Sequence, residues 1–151
     1  MKKIVSLALV IIICLFSFTS CLAFDVARRC EESTRAFFSC IENDDYTKAV
    51  TYLHPASNIP RIELKSAITD FESDLGIDFS DEVIFDSLYE MSTTVYPYTE
   101  HGRADVCVLT FVVFVGETEA FMDVGYIEDD RGAGIYDLYL YLTKGGTLGG
   151  Q

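Results

Sequence analysis

From Glu119 to Leu142 the chain reads EAFMDVGYIEDDRGAGIYDLYLYL, and this stretch decides the fold class. Apolar character alternates with a period of two on both sides of Asp129-Asp130-Arg131-Gly132, which predicts two strands joined by a hairpin turn. In the first strand Met122, Val124 and Tyr126 share one face, while Phe121, Asp123 and Ile127 share the other. In the second, Tyr136, Leu138, Leu140 and Leu142 form one face, and Ile135, Asp137, Tyr139 and Tyr141 the opposite one. The Leu-rich face is expected to meet a hydrophobic layer. The face with Asp and Tyr is left outward, amphipathic rather than purely polar.

Working upstream, Val83–Tyr98 and Arg103–Val115 are also rich in Val, Phe, Tyr and Ile, with Gly116-Glu117 as the next turn. Before Gly76 the period lengthens to that of helices. Val26, Cys30, Phe37 and Ile41 recur at helical spacing between about Asp25 and Glu42, with Phe38 and Cys40 widening the stripe. Asn43-Asp44-Asp45 breaks and recaps the chain. A short second helix follows, with Tyr46, Ala49, Val50 and Leu53 on one side, and it stops at His54 before Pro55. A third helix begins around Pro60, carries Leu64, Ile68, Phe71 and Leu75, and ends at Gly76. Helices first and antiparallel strands afterwards predict an α+β domain, three helices packed on one face of a four-stranded sheet.

The N-terminus is set apart from that domain. Lys2 and Lys3 precede an apolar run from Ile4 to Phe18, so residues 1–20 read as a secretory signal peptide of lipoprotein type. Phe18-Thr19-Ser20-Cys21 resembles a lipobox, with Phe18 where Leu is usual, and makes Cys21 the lipidated residue. Cys21-Leu22-Ala23 also fits ordinary signal peptidase, giving a soluble secreted protein. Ile4 to Phe24 is also long enough for an uncleaved anchor. Residues 21–144 are then the single domain, and the Gly-rich 145–151 a flexible tail. The expected location is the cell envelope, as a membrane-anchored lipoprotein.

The chain has 151 residues, half of them hydrophobic, with 24 acidic against 11 basic side chains. Losing residues 1–20 leaves nine basic groups against the same acids, a net charge of −15. The acidic balance argues against nucleic acid and anionic membrane surfaces as partners, because phosphate binding needs clustered Lys and Arg. Contact with the membrane is expected through the N-terminal lipid only. Cys30 and Cys40 lie ten residues apart on one helix, about 15 Å by the helical rise, too far for a disulfide; one of them can reach Cys107. No CxxC or Cys/His spacing points to zinc, so neither metal nor cofactor is expected.

The stretch Asn43-Asp44-Asp45-Tyr46-x-Lys48-Ala49-x-x-Tyr52-Leu53-His54-Pro55, set between the long first helix and the third helix with its four-strand meander, resembles the nuclear-transport-factor-2-like superfamily. More narrowly the chain is similar to uncharacterised small bacterial lipoproteins of that fold, over Asp25 to Leu142. The resemblance implies a curved sheet that wraps the helices into a cone with a pocket at its open end. The superfamily holds isomerases, dehydratases, transport factors and non-enzymatic ligand-binding or dimerising domains, so the fold itself says little about function.

On that expectation Phe37, Ile41, Tyr52, Leu53, His54, Leu64 and Ile68 line the pocket from the helices, and Val124, Tyr126, Leu138 and Leu140 from the sheet. His54 is read first as a helix-ending hydrogen-bonder, and alternatively as a group at the pocket mouth with Tyr52 or Tyr126. Asp123 and Asp137 fall at equivalent phases of adjacent strands, where paired carboxylates can serve as acid and base. Both are expected on the outer face, away from the pocket. Glu128-Asp129-Asp130 reads as a solvated turn, without the spacing of a calcium loop. No catalytic residue is assigned. Phe121, Ile127, Tyr139 and Tyr141 form an aromatic outer patch suited to a homodimer. The expected function is an exported binding or interaction module, with a small apolar ligand or a second copy as partner. The alternatives are a proton-transfer enzyme acting in the cone and a dimeric structural domain of an envelope assembly.

Overall fold

Local rules account for most of the elements in the computed structural model, which describes residues 24–142. The leader 1–20, Cys21 and the 145–151 tail lie outside the described residues. Helix α1 covers 24–42, and Val26, Cys30, Phe37, Phe38, Cys40 and Ile41 are all buried along one stripe. Asp45 accepts a hydrogen bond from the Lys48 amide at 3.1 Å and so caps α2, Tyr46–Ala49. A 3-10 turn, Val50–Tyr52, continues it. Helix α3 runs Leu64–Leu75 and stops at Gly76, whose φ of 68° is the left-handed conformation that glycine adopts without strain. Pro60 does not open α3 as the sequence suggested. It sits in the turn before the helix, whose first closing bond runs from the Ala67 amide to the Glu63 carbonyl.

Strands β1 (Val83–Thr99), β2 (Gly102–Val115), β3 (Thr118–Asp129) and β4 (Gly132–Leu142) form one antiparallel meander in the order β1-β2-β3-β4. The helices lie on one face of it. Phe37, Phe38, Phe79, Phe85 and Phe111 interlock at that junction, with neighbouring rings 5.2–6.0 Å apart. Cys107, Leu109, Phe111, Val113 and Val115 point inward from β2, and Ala120, Met122, Val124 and Tyr126 from β3.

The cone implied by the resemblance is not the fold. The sheet is open, neither curled nor closed, and with the cone goes the likeness to the nuclear-transport-factor-2-like superfamily. Curling a sheet needs bulges at matching levels in neighbouring strands. Here β2 and β3 pair from Asp105↔Glu128 to Val115↔Thr118 without interruption. Register shifts fall only in the outer strands: beside Asp86 and Tyr89 in β1, again near its end, and at Tyr136 in β4.

The Tyr136 bulge also corrects the face assignment in β4. Tyr126 pairs with Ile135, while Gly125 pairs with Asp137, so the strand changes phase at Tyr136. Ile135 is therefore fully buried on the helix side, together with Leu140, rather than outward. The freed Tyr136 carbonyl accepts hydrogen bonds from the Asn58 amide at 3.0 Å and the Ser57 hydroxyl at 2.9 Å.

Residues 53–58 thus strap the edge of β4, and the His54 amide donates to the Ile135 carbonyl at 2.9 Å. Gly134 makes this approach possible. A Cβ there would lie 2.5 Å from the His54 amide nitrogen and 2.8 Å from the Tyr52 carbonyl oxygen, both backbone atoms that cannot rotate away. Gly134→Ala should therefore lower unfolding stability by about 2 kcal/mol, the usual scale for a core clash. A denaturant midpoint equal to wild type would show that the strap can lift freely.

Candidate functional site

Two surfaces and one buried cluster carry the chemistry-bearing residues. The larger surface is the sheet face opposite the helices. Strand alternation places Phe121 beside Tyr141, Asp123 beside Tyr139, and Val106 beside Ile127 on that side. Tyr139 is 55 % and Tyr141 53 % exposed, with Phe121 and Ile127 half-buried. The four residues singled out from the sequence thus share one face, Ile127 towards the far end of it.

Strand β1 adds residues that sequence reading missed. The Tyr89 ring packs against Phe121 with centroids 5.2 Å apart, yet the tyrosine remains 65 % exposed. Ile84, Tyr96 and, from β2, Val108 are also exposed on this side. Plain alternation along β2 was the available signal for Val106, Val108 and Val112. For Tyr89 there was none, because the bulges beside it break the alternation. Asp123, the carboxylate in the middle of the face, accepts a hydrogen bond from the Thr110 hydroxyl at 2.6 Å. Asp137 accepts one from the Asn58 amide side chain, also at 2.6 Å. In register Asp123 faces Tyr139 and Asp137 faces Gly125, so the two carboxylates do not form a pair.

The second surface is a cleft of about 250 Å³ between α3, the 58–60 turn and β4. Phe37, Ile68 and Leu138 from the expected pocket line it, joined by Ile59, Pro60, Ala67, Phe71 and Tyr139. The other expected lining residues lie elsewhere. Ile41, Leu53, Leu64, Val124, Tyr126 and Leu140 are buried in the core, and Tyr52 is packed half-buried against it. The polar groups at the cleft, Asn58 and Asp137, are bonded to each other.

His54 stands in the buried cluster. Its Nδ1 accepts from the Ala56 amide at 3.1 Å, so the ring proton sits on Nε2, which donates to Asp129 Oδ1 at 3.2 Å. Both side chains are shut from solvent, at 0 % and 2 % exposure. Arg131 completes the cluster, its Nη2 donating to Asp129 Oδ2 at 2.6 Å and its backbone amide to Oδ1 at 2.8 Å. The Arg131 guanidinium holds the Asp129 carboxyl well below the usual carboxylate range. Burial opposes this shift, and the Arg131 amide and His54 reinforce it.

Neither Tyr52 nor Tyr126 is the histidine's partner. Burial instead raises the Tyr126 phenol's pKa, and the nearby Ser33 side chain opposes this. With both ring nitrogens occupied and no solvent access, His54 is a clip between the strap and the β3–β4 hairpin. The sequence signal for its acid is the Asp129-x-Arg131 turn, which is buried rather than solvated at Asp129.

Among the described residues no three His, Cys, Asp or Glu side chains converge as a metal site, and no helix is long and apolar enough to cross a membrane. The class defined by fold and surface is an open α+β meander domain with one aromatic sheet face uncovered. No protein-family model matches the chain, and no curated protein or solved structure matches it either.

Proposed function

We propose that the protein is an exported, lipid-anchored interaction module that pairs with a second copy of itself through the outer sheet face. The uncovered aromatic patch around Phe121, Tyr139 and Tyr141 carries this reading. Four strands about 4.8 Å apart and some ten residues long at about 3.4 Å each span roughly 650 Å². Two such faces bury about 1,300 Å², within the range of specific interfaces. Aligned sheets at about 10 Å separation are a standard way of covering such surfaces. The cleft supports ligand binding less well, since its 250 Å³ lies below the roughly 300–1,000 Å³ of small-molecule sites.

Anchoring through Cys21 would raise the local concentration of copies and favour pairing without any added contact. The membrane arm is tested by phase partition after expression in a bacterial host. Wild-type chain should enter the detergent phase and Cys21→Ala should not. A soluble mature chain beginning at Phe24 would overturn that arm. Sedimentation equilibrium in detergent tests the pairing arm, with a dimer expected at micromolar concentration and a strict monomer overturning it.

A further inference from the structure

Cys30 and Cys107 are each fully buried, one on α1 and the other on the inward face of β2, and both are free thiols here. Three contacts fix α1 over this part of the sheet. Arg29 Nη2 donates to Glu128 Oε2 at 2.8 Å, the Ser33 side chain lies near the Tyr126 phenol, and the Cys30 and Cys107 thiols are close enough to shift each other's ionisation. These contacts agree in register. Tyr126 is the cross-strand partner of Cys107, and Ser33 lies one helical turn beyond Cys30. The Arg29–Glu128 bond and the Cys107–Tyr126 pairing thus set Cys30 over Cys107.

We infer that Cys30 and Cys107 form a disulfide in the exported protein, fastening α1 to β2, with a low-molecular-weight or protein disulfide as the oxidant. The inference rests on the export reading for its oxidising compartment, since such bonds persist outside the cytosol. Sealed thiols are out of an oxidant's reach, so the bond forms while the chain is still folding and α1 is not yet seated. One cysteine thiolate attacks the donor disulfide, breaking its S–S bond, forming a mixed disulfide and releasing one donor thiolate. The second cysteine thiolate then attacks the sulfur of the first, closing Cys30 Sγ to Cys107 Sγ and releasing the other donor thiolate. The two cysteines are oxidised and the donor is reduced to two thiols, which take up the two protons. Cys40 is also buried on α1, ten residues and about 15 Å along the helix from Cys30, and it stays reduced.

The test is alkylation under denaturing conditions, without reductant, followed by peptide mass spectrometry. It is run on full-length chain recovered from an exporting host and on the same chain refolded in a glutathione redox buffer. The expected result in both is a Cys30–Cys107 peptide two hydrogens lighter than the reduced pair, with Cys40 alkylated. Cys107→Ser should leave Cys30 alkylated. A bond formed on refolding but missing from the exporting host supports the pairing and overturns the export reading. Free Cys30 and Cys107 after both treatments, or a bond from either to Cys40, overturns the pairing.

Discussion

Replacing His54 with alanine should lower unfolding stability by about 3 kcal/mol, combining a cavity at a fully buried site with two orphaned hydrogen-bond partners. Asp129 would keep its charge inside the hairpin, supported by Arg131 alone, and the Ala56 amide would lose its acceptor. Urea titration followed by circular dichroism measures the loss. His54→Gln should recover part of it, because a side-chain amide can still donate to Asp129. A midpoint unchanged in His54→Ala would show that the clip bears no part of the fold.

The same cluster sets a pH dependence whose sign is fixed. Asp129 has its carboxyl depressed in the folded state, so it contributes stability that is fully present above the unfolded value of about 3.9. That contribution is lost as pH falls from about 4 through the folded value. Wild type should therefore lose stability more steeply below about pH 4 than Asp129→Asn, which starts weaker. Parallel acid limbs for the two proteins would contradict the depressed carboxyl.

The second large effect concerns pairing. Tyr141→Glu should weaken self-association by about 100-fold or more, since a carboxylate in the middle of an apolar interface is desolvated without a partner. Tyr141 is half exposed beside Phe121, so the secondary structure of the variant should stay that of wild type. Tyr139→Glu should act in the same direction. Because each chain carries a net charge of −13, raising salt should tighten the proposed wild-type dimer by screening repulsion between copies. Sedimentation showing equal dimer content in wild type and Tyr141→Glu would move the interface elsewhere.

The strands were legible to within two residues at each end, because period-two alternation and glycine turns reflect the pleat directly. So were the buried stripes of α1 and α3. Bulges were not legible. Tyr136 fits an unbroken alternation as well as a broken one, and only its pairing partners show that Ile135 and Leu138 share the inner face. The openness of the sheet was hidden for a related reason. Curvature depends on where the bulges of neighbouring strands coincide, and a motif such as Asp44-Asp45-Tyr46 in a helix pair carries no record of that.

The candidate site divides in the same way. Phe121, Tyr139 and Tyr141 were found because they are aromatic at outward phases. Asp129 was missed because its neighbours Glu128 and Asp130 made the segment look solvated, although its side chain is 2 % exposed. Its burial depends on the 53–58 strap, which lies far away in sequence and docks where Gly134 leaves room.

The bulges beside Asp86 and Tyr89 have a consequence for stoichiometry. The outward edge of β1 offers backbone donors and acceptors to any passing strand, yet these shifts cut its ladder into short tracts. A straight intruding strand can match only one tract at a time, while the opposite edge is already taken by residues 53–58 at Ile135 and Tyr136. Growth by edge addition, which would give filaments, is therefore discouraged at both ends of the sheet. On the proposed pairing, the broad face would be consumed in a single event, and assembly of this domain should stop at two.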